Sequence, residues 1–191
     1  MRKRLAAAMV LCISLATQAA PLRLPAASVP VPDGGSVTAL GQGALIRYRG
    51  WLLAVDDAAA DARADVRLAS ASGQRAPRAQ AGRVARDLPV WTALELVKGA
   101  TRLRITALPG PGSDEAPALL LDFGDGDYRI VIPAHALAPP QHAQLAQRFP
   151  GADLALLLQE GRRVMLPLGS SRVQVFGAEQ AVPYLFSKVK R

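Results

Sequence analysis

The chain has 191 residues, half of them apolar but only 5% aromatic, so the core of one domain must be built mainly from Ala, Leu and Val. The formal charge of +8 is scattered and dominated by Arg, and the aromatics sit inside apolar runs, which argues against a basic, aromatic-lined nucleic-acid surface. Cys12 is the single cysteine and falls in an expected N-terminal leader, so the mature chain is expected to carry no disulfide, thiolate nucleophile or cysteine zinc site.

Arg2, Lys3 and Arg4 form a basic head, and the mostly apolar run from Leu5 to Leu15 is too short to span a bilayer. Thr17-Gln18-Ala19 places small residues at a cleavage position. Residues 1–19 are therefore expected to be a signal peptide cut after Ala19, giving a periplasmic or secreted protein with no membrane span in the mature chain. Met9-Val10-Leu11 before Cys12 does not make a lipidation site. Residues 20–35 are rich in Pro, Ala and Gly and read as an arm, leaving 36–191 as a single domain.

Three short strands are expected next: "SVTAL" (Ser36 to Leu40), "ALIRY" (Ala44 to Tyr48) and "WLLAV" (Trp51 to Val55). Arg49-Gly50 makes a tight turn between the last two. "ADVRLAS" gives another strand, Asp65 to Ala69. The Ala- and Arg-rich stretch from Pro77 to Asp87 favours helix, with Pro77 suited to a first turn. "LPVWT" reads as a short strand and "ALELVKG" as a helical turn stopped by Gly99. "TRLRITAL" alternates, with Leu103, Ile105 and Ala107 on one face.

"PALLLDFGDGDYRIVI" is a hairpin around Gly124-Asp125-Gly126. A helix from Pro140 to Arg148 precedes the strand "ADLALLL", followed by the strands "RRVMLPL" and "SRVQVF". "AEQAVPYLFSKVKR" reads as a closing helix interrupted at Pro183. This order suggests stacked sheets covered by helices.

The obvious motifs carry little chemistry. Asp122, Asp125 and Asp127 do not have the spacing of a calcium loop and fit a hairpin turn. Ser70, Ser72, Ser170 and Ser171 lack a nucleophile-elbow context. "GDGD" lacks the Lys-Ser/Thr of a phosphate loop.

Several ordered segments resemble the metallo-β-lactamase superfamily over nearly all of Ser36 to Phe186. "TALGQGALIRYRGWLLAVDD" is similar to the opening hairpins that end on an Asp, here Asp56. "ADVRLASASGQRA" resembles the strand and loop that carry a His-x-His-x-Asp-His signature. "RITALPGPG", "LLLDFGDGDYRIVIPAHA", "FPGADLALLL" and "RVMLPLGSS" resemble later pieces in the same order. The resemblance implies an α/β (α+β) fold, an αββα sandwich of two mixed β-sheets flanked by helices.

It also implies zinc ligands at strand ends, and these are missing. Ala71, Gly73, Arg75 and Ala76 stand at the four signature places, Gly112 at the next His, His135 at the bridging Asp and Gly169 at the last His. The chain has only two histidines, His135 and His142, so no shift of alignment restores the set. No metal or other cofactor is expected.

Arg75 stands in place of a metal-binding carboxylate, and Arg78 follows near an expected helix start. A guanidinium there suits a small anion. The plainer alternative makes Arg75, Arg78, Arg83 and Arg86 the wet face of an Ala-rich helix. The expectation is thus a non-catalytic binding or accessory protein, its partner a small anion or another protein, with Arg75, Arg78, His135 and Asp56 at the vacated site. The competing reading is a hydrolase using His135 with Asp56 or Glu95.

Overall fold

A computed structural model describes residues 21–24, 34–56, 63–70, 84–86, 88–111, 113–124, 126–169 and 183–187. Alternating segments such as "TRLRITAL" and short apolar runs bounded by turns such as "WLLAV" and "LALLL" write most of it as strand. In chain order the strands are β1 (Leu22–Leu24), β2 (Gly34–Leu40), β3 (Gly43–Tyr48), β4 (Trp51–Val55), β5 (Val66–Leu68) and β6 (Val84–Arg86). They continue with β7 (Thr92–Lys98), β8 (Thr101–Gly110), β9 (Ser113–Phe123) and β10 (Tyr128–Pro133). The helix α1 (Pro139–Arg148), β11 (Leu154–Gln159), β12 (Arg162–Pro167) and β13 (Tyr184–Ser187) complete the set.

These strands form two mixed sheets. The larger runs β1-β7-β8-β9-β10-β11-β12 and the smaller β13-β2-β3-β4-β5-β6. Their inner faces share one core: Ile46, Trp51, Leu53 and Val66 from the smaller sheet meet Leu103, Leu121, Ile130 and Leu156 from the larger. The sheets therefore lie face to face, as the sequence suggests. α1 crosses between the parallel strands β10 and β11 and covers the outer face of the larger sheet. Its Leu145, with Phe149 just beyond, packs on Val131, Ala155, Val164 and Leu166.

The hairpins follow local chemistry. Arg49 (φ 46°) and Gly50 (φ 82°) turn β3 into β4 with Tyr48 paired to Trp51, the backbone that a two-residue turn demands. Gln141 fixes the start of α1: its side-chain carbonyl accepts the Ala138 N–H at 2.8 Å.

Five expectations change. "LPVWT" is not a strand: the chain turns before β7, with Trp91 exposed and in the left-handed region (φ 68°), and only Thr92 enters the sheet. "ALELVKG" is not a helical turn but most of β7, paired with β8 from Thr92 to Lys98. Its residues are good helix formers, but Leu94 and Leu96 alternate with exposed Ala93 and Glu95, and burial of that period-two face overrides propensity. The segment 77–87 ends in strand, because Val84–Arg86 pairs parallel with β5; residues 77–83 and 87 lie outside the described residues. The closing segment contains β13 rather than helix, antiparallel to β2. The arm contains β1, parallel to β7, and the first two residues of β2. "SRVQVF" lies outside the described residues.

Ion pairs tie the sheets at the rim where β4 and β10 begin. Lys98 Nζ reaches both Asp65 oxygens (2.8 and 2.7 Å) and donates to Gly50 O (2.7 Å), while Arg49 Nη1 donates to Asp127 Oδ2 at 2.5 Å.

Tyr128 lies in the core beside this rim, 4% exposed. Burial pushes its phenol above the ordinary 10.0, and the adjoining Tyr184 adds to the shift. The folded state thus keeps a proton that the unfolded chain sheds, so stability present below pH 10.0 is lost as pH rises past it. From about pH 10 upward the unfolding free energy should fall, approaching a slope of about 1.4 kcal/mol per pH unit from this group above about pH 11. Urea unfolding of Tyr128→Phe should show a correspondingly shallower fall. Identical profiles for the two proteins would refute the assignment.

Candidate functional site

The opposite rim gathers the ends of β4, β5, β10 and β11, the start of β12 and the β2–β3 turn. β4 and β5 run parallel, as do β10 and β11, so both sheets bring strand C-termini here. At the end of β4 the backbone of Asp56 enters the left-handed region (φ 52°), which Asp tolerates better than most residues. Its carboxylate meets residues from the other sheet across the rim.

Arg163, the second residue of β12, fills the space between the sheets and is 1% exposed. All five of its guanidinium N–H donors have acceptors. Nε donates to Gln42 O at 3.0 Å, and Nη1 to Pro133 O at 3.3 Å and Leu156 O at 3.1 Å. Nη2 donates to Ser70 Oγ at 2.5 Å and to Asp56 Oδ2. Asp56 is equally occupied: Oδ1 accepts the Ser70 N–H and Oδ2 the Ser70 hydroxyl, each at 2.8 Å. The Arg163 and Asp56 side chains are only 2% and 4% exposed.

This is a closed network of one permanent cation, one carboxylate and one hydroxyl. A guanidinium does not lose its proton in proteins, so it serves as no base. Asp56 has its charge opposed by Arg163, and the Ser70 hydroxyl proton is committed to Asp56. The arrangement holds the sheets together at the rim and offers neither an activated nucleophile nor an open position for a cation.

Of the residues expected at the vacated site, Asp56 is at the centre of this network. His135 is on the same rim, exposed, two residues beyond Pro133. Arg75 and Arg78, with 71–83 as a whole, lie outside the described residues, as does Gly112. Gly169 is not on this rim. It follows β12, whose end pairs with the start of β11, and Leu168 N–H donates to Asp153 O there.

Nor does the fold assemble the alternative catalytic set. Glu95 lines a cleft on the outer face of the larger sheet, whereas Asp56 lies between the sheets. His142 Nε2 is 3.1 Å from Leu137 O, a contact that ties α1 to the loop before it. Among the described residues, no three His, Cys, Asp or Glu side chains are grouped to hold a metal ion.

Sequence reasoning missed Arg163 and passed over Ser70 as a loop residue. A signal for Arg163 was present: in "RRVMLPL" it shares the inward phase of Met165. An arginine on that row requires a buried partner.

No family model matches the chain, and no curated protein matches it. Two solved structures are similar at 15% identity. One is CmlA, a diiron β-hydroxylase from Streptomyces venezuelae, with a TM-score of 0.39 over 66% of this chain and 35% of that one. The other, from Thermotoga maritima, is assigned to the metallo-β-lactamase superfamily as a Zn-dependent hydrolase, with a TM-score of 0.35 over 64% of this chain and 59% of that one. The chain thus spans less than two thirds of the length of either structure.

Proposed function

We propose that this chain is an exported, non-catalytic binding or accessory protein built on a two-sheet scaffold whose strand-end site has been filled. The observation that carries the reading is Arg163: a buried guanidinium, satisfied on every N–H, stands between Asp56 and Ser70 at the rim where strand C-termini converge. A fixed positive charge repels a second cation, and the carboxylate available to ligate one is already paired. Export rests on the basic head, short apolar run and small residues of 1–19. No helix of the described residues is long and apolar enough to cross a membrane. The exposed rim beside His135, together with Arg75 and Arg78, is where a small anion or a protein partner is placed by this reading.

The test is elemental analysis of purified protein equilibrated with zinc, paired with hydrolysis assays on ester and lactam substrates. The expected result is substoichiometric zinc and no hydrolysis above background. Stoichiometric zinc whose removal by a chelator abolishes turnover would overturn the proposal.

A further inference from the structure

The larger sheet has a second distinctive surface, on the outer face that α1 leaves uncovered. There the register of four strands aligns Glu95, Arg104, Asp122 and Arg129 in one row of alternating charge. Beside this row a cleft of about 440 Å³ opens, walled by β1, β7, β8 and β9 and the β7–β8 turn. Its volume is within the range of small-molecule sites.

The row is only partly neutralised from within. Arg129 Nε donates to Asp122 Oδ2 at 3.0 Å. Asp122 Oδ1 is buried without a partner, although Arg104 stands directly opposite on β8. Arg104 is exposed, as are Arg23 and Arg102, all three lining the cleft. Among the described residues no side-chain hydrogen bond or ion pair engages these three guanidinium groups.

Their spacing follows from strand geometry. Arg102 and Arg104 are two residues apart on one face of β8, hence about 7 Å. Arg23 pairs with Val97 and Val97 with Arg102, so two strand spacings, about 10 Å, separate Arg23 from Arg102. Long arginine side chains close such gaps around one anionic group. Glu95 and Asp122 are the carboxylates lining the cleft; Asp122 is engaged through Oδ2 by Arg129, and the three arginines lining the cleft outnumber the two carboxylates.

We infer that this cleft binds a small phosphorylated molecule, its phosphate held by Arg102 and Arg104 with Arg23 closing from β1. The cleft exceeds the size of a phosphate ion, so the body of a phosphate ester fits beside the charged group. The site is separate from the Arg163 rim, and the inference does not depend on the chain being non-catalytic.

The experiment is calorimetric titration of the full chain with inorganic phosphate and with glycerol 3-phosphate, at low and high chloride. Wild type, Arg102→Ala/Arg104→Ala and Arg47→Ala are compared, and thermal melting verifies that each is folded. The expected result is saturable binding of glycerol 3-phosphate that weakens with chloride. It should weaken at least about tenfold in the double variant and stay unchanged in Arg47→Ala, whose side chain is exposed on β3 of the smaller sheet. Inorganic phosphate binding at the same site supports the same chemistry, with the ester body adding nothing. Absence of saturable binding by either probe, or equal binding by the folded double variant, overturns the inference. So does an equal loss in Arg47→Ala, which would make the binding a general response to surface charge. An additional Arg23→Ala variant provides an independent measure if the double variant melts early: undiminished binding there removes β1 from the site and contradicts the inference as stated.

Discussion

Replacing Arg163 by methionine is expected to lower the unfolding free energy by about 3–5 kcal/mol, the range for breaking a buried ion pair from one side. Methionine keeps much of the aliphatic stem and removes the guanidinium. Asp56 is then left buried with its Arg163 partner gone, while the carbonyls of Gln42, Pro133 and Leu156 lose their side-chain donors. Most of the penalty comes from the stranded carboxylate rather than from the net worth of the pair. A second substitution tests this directly: Arg163→Met/Asp56→Asn should be more stable than Arg163→Met alone, because a neutral amide costs less to bury than a charge. Arg163→Lys should fall between, since one ammonium cannot reproduce five donors directed at five acceptors. Urea unfolding of the three variants against wild type measures all of this. A loss below about 1 kcal/mol in Arg163→Met would place the guanidinium in water rather than between the sheets.

The second large effect concerns β13. Phe186→Ala should cost about 3–5 kcal/mol, as for other buried Phe truncations, and should free the amide hydrogens that pair β13 with β2. Phe186 is 8% exposed, and its ring stacks on Tyr128 at 4.0 Å and on Tyr48 at 5.4 Å between centroids. Beneath it lies Gly35, where an added Cβ would come within 2.3 Å of the Phe186 ring and 2.8 Å of the Arg47 carbonyl oxygen. The ring therefore occupies space that only glycine leaves. Hydrogen exchange should show protection lost along Tyr184–Ser187 and Gly34–Val37, the paired residues. Leu185→Ala is the control: Leu185 is 74% exposed, so its truncation should cost well under 1 kcal/mol. Unchanged protection in Phe186→Ala would mean that β13 is held by something other than this stack.

Both predictions rest on contacts that were only partly visible in the amino-acid order. The phase of Arg163 with Met165 marked it as inward, but its partners are 107 and 93 residues away, on the other sheet. Asp56 stood out as the end of a strand run, and the structure places it at the rim. Its partner did not stand out, because nothing in the strand "RRVMLPL" records which distant residue its arginine faces. The resemblance puts Gly169 and His135 at positions of one ligand set, yet the antiparallel return of β12 carries Gly169 to the other end of the sandwich.

What the sequence determined by itself is local and periodic. Alternation set β8, short apolar runs bounded by turn residues set β2, β3, β4, β9, β10, β11 and β12 within a few residues, Arg49-Gly50 set a hairpin, and Pro140 set the start of α1 to within a residue. These need only the backbone and its nearest neighbours. Tertiary structure alone decided that "ALELVKG" is a strand, that the tail returns to pair with β2, and that Arg163, Asp56 and Ser70 close the rim together. In each case the deciding free energy is burial against a distant segment, and no local preference records which distant segment that will be.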